Sequence, residues 1–273
     1  MSISVSEAVR EAKIMLEPVA QEEALQQAKI LVSAIAGIET SALAIHSEMV
    51  LAPEQLSDLG EMLNRRVQGE PLQYILGEWA FMGLPFYVDA RALIPRQDTE
   101  LLAETAIRFI RERGYGSCLD LCTGTGCVGI SIAKLAGIRV TCSDISRDAL
   151  SLAKENAELN EAPVSFVASD LFDRIPDKFD LIVCNPPYLT LDDMQTMQKE
   201  VTFEPKLALY GGGDGLDVYR KIAWEYEKHL NEKGMLLLEI GSTQAESAAA
   251  LFSARTSVLN DLGGNPRVLI VEP

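Results

Sequence analysis

Hydrophobic positions in the first 70 residues recur at helical spacing. Apolar residues stand three and four apart between Val9 and Leu16 and again between Leu25 and Ile35, which gives each helix one apolar face. Gly37 and Gly69 follow such stretches and suit helix ends. The pattern predicts a small all-helical domain over residues 1–73.

After Gly77 the pattern changes to short apolar and aromatic runs. Trp79 and Phe81 stand on one side of Gly83, and Phe86 and Val88 stand on the other. This arrangement predicts a β-hairpin. We place it in a linker, residues 74–97.

From residue 98 onward, strand-like apolar runs alternate with helical patterns. The strand-like runs are residues 117–121, 139–143, 164–168, 179–184, 235–240, 257–260 and 268–272. Such alternation is typical of an open, mostly parallel sheet with helices on both faces. A short connection that contains Gly264, Asn265 and Pro266 separates the last two runs, so these predict an antiparallel hairpin at the sheet edge. Residues 98–273 therefore form a predicted Rossmann-like α/β domain.

Composition and charge narrow the class of protein. The 273 residues are 48% hydrophobic, and no apolar run reaches the roughly 18 to 20 residues of a membrane span. The start, Met1 to Leu16, alternates apolar residues with charges, so we expect a cytoplasmic protein without a signal peptide. Five cysteines, an odd number, favour reduced thiols over a disulfide framework.

The net charge of −16 opposes phosphate binding and favours encounter with basic proteins. Residues 1–90 hold 5 Lys and Arg against 13 Asp and Glu, which is half of the net charge on a third of the chain. This acidity fits a docking surface for a protein partner. It equally fits an ordinary solvated face.

A glycine-rich turn follows the first strand of the predicted sheet. Gly124 and Gly126 stand between that strand and the next helix, and Asp144 ends the second strand, 20 residues after Gly124. Glycines let a backbone approach a nucleotide-like ligand, and an acid at the second strand can bind ribose hydroxyls. The alternative is a turn that merely packs a helix on a strand.

The charge of Asp120 distinguishes between two candidate nucleotide cofactors. Asp120 lies near the end of the first strand, where a carboxylate would repel the pyrophosphate of NAD and attract the cationic methyl donor S-adenosylmethionine. Asp170 follows the third strand-like run and could reach the adenine ring. An Asp that only orders the loop is the alternative for Asp120.

The segment Asn185-Pro186-Pro187-Tyr188 leaves the carboxyl end of an apolar strand, where open α/β sheets place active sites. The prolines fix the backbone and leave the Pro186 carbonyl free to accept a hydrogen bond. The Asn185 side-chain oxygen is a second acceptor. Paired acceptors match a planar NH2 group, either an amide or an exocyclic base amine, and Tyr188 could cover its plane.

An amide nitrogen is a poor nucleophile, so we expect the site to orient it and to stabilise developing positive charge. Bonds to Asn185 and Pro186 would strengthen as the nitrogen becomes positive. The sequence shows no strong general base. Proton loss after transfer satisfies the chemistry, because an N-methylated amide cation is very acidic.

The sequence resembles the glutamine N5-methyltransferases of peptide-chain release factors, often called PrmC or HemK, over almost its whole length. The resemblance rests on Asn185–Tyr188 and on segments 69–77, 93–100 and 204–216. It implies a class I methyltransferase sheet and a helical domain that helps dock a release factor whose Gly-Gly-Gln loop presents the glutamine; separately, we expect the protein to be a monomer. Asn185 to Tyr188 would hold that glutamine side chain. The implied cofactor contacts are Cys122, Thr123, Gly124, Thr125, Gly126, Asp144, Leu171 and Asn185.

Three positions depart from the family pattern. Cys122 replaces a usual glycine, Gln97 replaces a usual proline, and Asn265-Pro266 interrupts a more charged tail. Clustered Cys118, Cys122 and Cys127 lack paired spacing and a nearby histidine, so no metal site is predicted.

Two alternatives to the protein-glutamine methyltransferase remain open. A nucleic-acid adenine methyltransferase would use the same four residues on a base amine, and a nonenzymatic adaptor would keep only the fold. The absence of a basic strip argues against the first. The presence of Asp120, Asp144 and Asn185 argues against the second.

Overall fold

A computed structural model describes residues 3–273; Met1 and Ser2, the first two residues of the predicted helical domain, lie outside the described part. The chain packs as two units. The first contains the residues up to Gly77 together with Gln198–Phe203, and the second contains Glu78–Met197 and Glu204–Pro273. Among residues 3–273, no helix combines the length and the apolar character needed to cross a membrane.

The first unit is helical, and its helices are α1 (Val5–Ala20), α2 (Ala24–Ala36), α3 (Pro53–Val67) and α4 (Leu72–Leu76). Ser4 and Glu7 form a capping box at the start of α1, which satisfies free backbone N–H groups there. The apolar faces of the helices meet in one core, built from residues such as Leu16, Leu31 and Leu63. The predicted small helical region is confirmed.

The inserted segment Gln198–Phe203 is tied to this unit by charge. Arg66 is only 2% exposed, forms an ion pair with Glu200, and donates from Nε to Gln27 Oε1 at 2.8 Å. A buried guanidinium without such partners would be strongly destabilising. The contacts of Glu200 therefore place a distant part of the chain in the helical unit, which periodicity could not predict.

The second unit begins with an antiparallel hairpin, β1 (Glu78–Phe81) and β2 (Leu84–Tyr87). Phe81 and Phe86 are buried, and their rings pack edge to face with centroids 6.2 Å apart. The predicted hairpin is confirmed. By packing it belongs to the second unit, whereas the predicted domain limits at residues 73 and 97 stay a prediction.

The rest of the second unit is an α/β sheet with its helices. In chain order the elements are α5 (Gln97–Arg113), β3 (Ser117–Leu121), α6 (Cys127–Ala136), β4 (Arg139–Asp144), α7 (Arg147–Leu159), β5 (Val164–Ala168), β6 (Phe179–Cys184), α8 (Leu191–Thr196), α9 (Lys206–Leu209), α10 (Asp217–Glu225), β7 (Leu230–Glu239), α11 (Ala245–Ala249), β8 (Arg255–Asn260) and β9 (Pro266–Glu272). The sequence analysis assigned no helix to Gln97–Arg113, although Leu102, Ala106 and Ile110 recur there at steps of four.

The seven strands are ordered β5-β4-β3-β6-β7-β9-β8. Strands β3 to β7 are parallel, and β9 runs antiparallel to both of its neighbours. The mostly parallel sheet and the terminal hairpin at its edge are therefore as predicted. The chain goes outward from β3 to β5 and then returns to the other side of β3, so β3 and β6 flank the point where the strand order reverses.

Each face of the sheet carries its own core. Cys118, Val183 and Leu237 pack on one face with residues of α5 and α6, while Leu119, Ile182 and Leu238 pack on the other with residues of α10 and α11. Side chains alternate between the faces of a strand, so strands covered on both sides are apolar throughout. Helices on both faces are confirmed.

Candidate active site

A cavity of about 250 Å³ opens at the carboxyl ends of the central strands. Register places Leu121, the last residue of β3, beside Cys184, the last residue of β6, so the two predicted motifs leave the sheet next to each other at the crevice where ligands bind in such folds. The cavity is lined by most of the predicted site residues: Asp120, Cys122, Thr123, Gly124, Thr125, Asp144, Asp170, Leu171, Asn185 and Pro187. Gly126, Pro186 and Tyr188 are not among its lining residues.

The glycine-rich turn is tightly wound. Cys122, Gly124 and Gly126 all have positive φ, at 55°, 54° and 82°. This backbone region suits glycine and strains a residue with a Cβ. A glycine at position 122 would adopt this conformation without strain, whereas Cys122 adopts it at a cost.

Asp120 lies beneath this turn and is 2% exposed. Its Oδ2 accepts hydrogen bonds from the Thr123 hydroxyl at 2.5 Å and from the Gly129 backbone N–H at 3.0 Å. A Cβ on Gly129 would stand 2.8 Å from that oxygen, so only glycine permits the approach. Burial raises the pKa of Asp120 to about 7. The carboxyl group orders the turn, and its negative charge is partly lost at neutral pH.

Asp144 ends β4 and faces the same cavity. Its Oδ2 accepts from the Gly124 N–H and its Oδ1 from the Ser146 N–H, both at 2.9 Å. Burial raises its pKa, whereas these backbone bonds lower it. A carboxylate has further lone pairs, so Asp144 can still accept from hydroxyl groups in the cavity.

Asp170 and Leu171 stand at another part of the cavity wall. Asp170 is exposed, with Oδ2 3.7 Å from the Lys221 ammonium nitrogen. Leu171 is half-buried and has a φ of 44°. At this part of the wall an exposed acid therefore stands beside a half-buried apolar side chain.

Some polar atoms of the Asn185–Tyr188 corner have hydrogen-bond partners within the protein, and others do not. Asn185 donates from Nδ2 to the Thr99 hydroxyl at 3.2 Å, which leaves its Oδ1 as an acceptor. Pro186 is buried, and among residues 3–273 its carbonyl receives no hydrogen bond. Burial raises the pKa of Tyr188 to about 12, so its phenol stays neutral.

The segment 211–215 packs against this corner. The Gly211 N–H donates to the Leu189 carbonyl at 2.9 Å, and a Cβ on Gly211 would stand 2.5 Å from the Pro187 carbonyl oxygen. Asp214 accepts from the Leu216 N–H just before α10. The glycine run therefore packs against the prolyl backbone and precedes α10, whose N-cap Leu216 makes no side-chain capping bond.

Three polar residues of the site were missed in the sequence. Thr99 lies in the first turn of the unpredicted α5 and lines the cavity. Glu239 ends β7 and is 2% exposed; a charged residue that ends an apolar strand was the available signal. Glu204 is buried, accepts from the Ile94 N–H at 2.9 Å and pairs with Arg96.

Arg96, Glu100 and the cysteines have structural contacts. Arg96 lines the cavity, whereas Glu100 accepts from the Met82 N–H at 2.6 Å and holds the hairpin turn. All five thiols are free. In the described part of the chain, no group of three or more His, Cys, Asp or Glu residues is arranged to hold a metal ion.

The cavity offers two kinds of wall. Backbone turns and carboxyl groups follow β3 and β4, and acceptor oxygens on a fixed backbone follow β6. The first suits a ribose-bearing ligand, and the second suits an NH2 group. The arrangement brings such a ligand and an amine or amide together outside the sheet.

The fold is shared with known methyltransferases. The 16S rRNA N2 G1207 methyltransferase of T. Thermophilus, solved in complex with AdoMet and guanosine, superposes with a TM-score of 0.53 at 17% identity, covering 71% of this chain and 49% of that one. At this identity the likeness concerns the fold alone.

Family models and relatives match most of the chain. Residues 97–233 match the family described as Methyltransferase small domain, and residues 7–77 match the PrmC N-terminal domain. The release factor glutamine methyltransferase of Geobacter sulfurreducens is 41% identical over 82% of this chain and 79% of its own. That of Cereibacter sphaeroides is 38% identical over 97% and 96%. The chain belongs to the release factor glutamine methyltransferase family.

Proposed function

We propose that the protein transfers a methyl group from S-adenosylmethionine to the side-chain amide nitrogen, N5, of the glutamine in the Gly-Gly-Gln loop of peptide-chain release factors. The observation that carries this proposal is the adjacency of the glycine-rich turn and the Asn185–Tyr188 corner at one cavity. The relatives' shared name, release factor glutamine methyltransferase, supports the acceptor.

S-adenosylmethionine fits the backbone turn and the carboxyl groups that follow β3 and β4 at the cavity. Asp144 is placed to accept ribose hydroxyls, and the turn from Cys122 to Gly126 brings backbone close to the ligand. Asp170 and Leu171 would border the adenine, while Asp120 holds the turn from beneath. When bound, the cofactor supplies an electrophilic methyl group on a positively charged sulfur.

The Asn185–Tyr188 corner performs the amide chemistry. Asn185 Oδ1 and the Pro186 carbonyl accept the two hydrogens of the glutamine NH2, and the prolines fix the angle between those acceptors. Both bonds strengthen as positive charge develops on nitrogen, so they stabilise the transition state more than the ground state. Pro187 and Tyr188 confine the side chain.

The helical domain, residues 1–73, is proposed to dock the release factor. Residues 1–73 hold 11 Asp and Glu against 5 Lys and Arg, which is most of the acidic excess of residues 1–90, and this charge favours a basic protein surface and disfavours nucleic acid. We further propose that the protein acts in the cytoplasm, as a monomer, and without direct binding to nucleic acid.

Labelled methyl transfer tests this function. The purified protein is mixed with labelled S-adenosylmethionine and with a release factor, with the same factor carrying Ala for Gln in its Gly-Gly-Gln loop, or with unmethylated DNA. Label should enter only the unaltered factor. Label on the Ala variant would refute the acceptor, and label on DNA would favour the base-amine alternative.

A further inference from the structure

Glu239 lies buried beside the Asn185–Tyr188 corner without an assigned role. Strand register pairs Cys184 of β6 with Leu238 of β7, so Asn185 and Glu239 follow as neighbours at the carboxyl ends of parallel strands. Glu239 is 2% exposed, and among residues 3–273 its Oε2 has no hydrogen-bond partner. A buried carboxylate with a free oxygen is costly, which points to a function.

Charged and titratable groups face Glu239 from several elements. They are Asp98 of α5, Cys127 of α6, Tyr188 of the corner, Tyr219 of α10 and Arg267 of β9. Arg267 provides the only opposite charge in this set, yet it also pairs with Asp98 at 3.0 Å and Asp261 at 3.2 Å. The positive charge is thus shared among carboxylates and only partly compensates Glu239.

The closest polar contacts lead from Glu239 to the cavity. The polar side chains of Thr99 and Asn185 both lower the pKa of Glu239 by hydrogen-bonding, Thr99 more than Asn185. Asn185 Nδ2 also donates to Thr99 Oγ1 at 3.2 Å. The side chains of Glu239, Thr99 and Asn185 therefore connect a buried acid to the amide that lines the cavity.

We propose that Glu239 is a positioning residue whose ionised carboxylate orients the Asn185 amide through Thr99. An ionised carboxylate only accepts hydrogen bonds, and Thr99 has a single hydroxyl hydrogen to donate. Thr99 therefore donates to Glu239 and accepts from Asn185 Nδ2. This leaves Asn185 Oδ1, the atom that must accept from the substrate amide, facing the cavity.

Protonation reverses this polarity. A protonated Glu239 donates to Thr99, which then donates to Asn185, and the amide turns its Nδ2 toward the cavity. A donor would then face the NH2 group of the substrate. Burial raises the pKa of Glu239 to about 7, while Thr99 and Arg267 lower it. Turnover should consequently fall as the pH drops through about 7.

The inference rests on the proposed function, so one test does not depend on activity. In the wild-type protein, the Asn185 side-chain NH2 resonances should shift with pH between about 6 and 8, following the acid. In Glu239→Gln the shift should disappear, with the fold checked by circular dichroism. Wild-type resonances that stay constant over this range would overturn the positioning role, whatever the substrate is.

Kinetics supply the second test. Glu239→Gln should lower kcat for release-factor methylation by about 10-fold or more and remove the acidic limb of the pH profile, with the Kd of S-adenosylmethionine within about threefold. Thr99→Val should lower kcat similarly. Thr99→Ser keeps the hydroxyl, and its kcat should therefore stay close to that of the wild type. Equal loss in Ser and Val variants, or an unchanged pH profile in Glu239→Gln, would overturn the hydrogen-bond chain. Absence of methylation by the wild type would instead refute the proposed function.

Discussion

The two loops that leave β3 and β6 at the cavity differ in backbone conformation, yet each lies above a buried carboxyl group. The turn after β3 uses glycines and positive φ angles, and it presents backbone to the cavity. The corner after β6 uses consecutive prolines and presents acceptors. Under each lies a carboxyl group that is 2% exposed and has a pKa raised to about 7 by burial, Asp120 and Glu239 respectively.

The supports differ in what they hold. Asp120 Oδ2 receives two donors from its own turn, so it shapes backbone. Glu239 keeps one oxygen without a partner and acts on the side chain of Asn185. The comparison shows that a loop that binds a ligand through its backbone depends on a fixed backbone conformation. A loop that binds a reacting amide depends on the orientation of one acceptor oxygen.

The largest loss of turnover is expected when the acceptor oxygen of Asn185 is removed. Asn185→Ala removes Oδ1 and should lower kcat by about 100-fold or more while the Kd of S-adenosylmethionine is largely kept. Steady-state kinetics and calorimetry measure the two quantities. Asn231→Ala, at the other end of β7, is the control and should keep full turnover. A similar kcat in Asn185→Ala and the wild type would remove the proposed acceptor.

A displaced prolyl corner should have the next largest effect. Gly211→Ala would bring a Cβ to 2.5 Å from the Pro187 carbonyl oxygen, so the backbone must shift, and kcat should fall by about 20-fold. Gly213→Ala is a matched control, because a Cβ there meets nothing within 4 Å. Equal kcat in the two variants would show that the corner does not need this support.

Asp120 tests the support of the other loop. Asp120→Ala leaves two donors unpaired, which costs about 1–3 kcal/mol for each, and should weaken cofactor binding by about 10-fold. Asp120→Asn keeps an oxygen acceptor without the charge and should bind nearly as the wild type does. An Asn variant as weak as the Ala variant in calorimetry would mean that the charge itself acts on the cofactor.

The pH dependence of stability follows from the same acid. The pKa of Asp120 is raised in the folded state from 3.8 to about 7, so its contribution to the free energy of unfolding is full below about pH 4 and is lost as the pH rises to about 7. Urea unfolding of Asp120→Asn should show a smaller decline across this range. A decline as steep as that of the wild type would assign it to other groups, Glu239 first.

The smallest effect is expected from relieving the wound turn. Cys122→Gly removes a Cβ at a φ of 55° and should raise the free energy of unfolding by about 1 kcal/mol. Lys233→Gly, at a φ of 66°, is the matched control away from the cavity. If Cys122→Gly changes the Kd of S-adenosylmethionine and Lys233→Gly does not, the strain at position 122 affects ligand binding. A lower free energy of unfolding in Cys122→Gly would contradict the predicted strain.

The sequence predicted what depends on local pattern. Alternation of apolar runs gave the parallel sheet and its terminal hairpin, and motif chemistry gave the two loops. It did not predict α5, and with it Thr99, because the buried positions Leu102, Ala106 and Ile110 are interspersed with charged residues, and what they pack against is determined by the tertiary structure. Glu239 was missed because its role depends on β7 lying beside β6, which only tertiary pairing determines.

The excursion of Gln198–Phe203 has a consequence for dissecting the protein. The chain leaves the catalytic sheet after the prolyl corner, pairs Glu200 with buried Arg66 of α3, and returns at Glu204, which bonds the Ile94 N–H. A shortened protein that starts at Glu78 would therefore keep Gln198–Phe203 but lack Arg66, the buried partner of Glu200. Tests of substrate docking should alter the surface of the helical unit and leave its length intact.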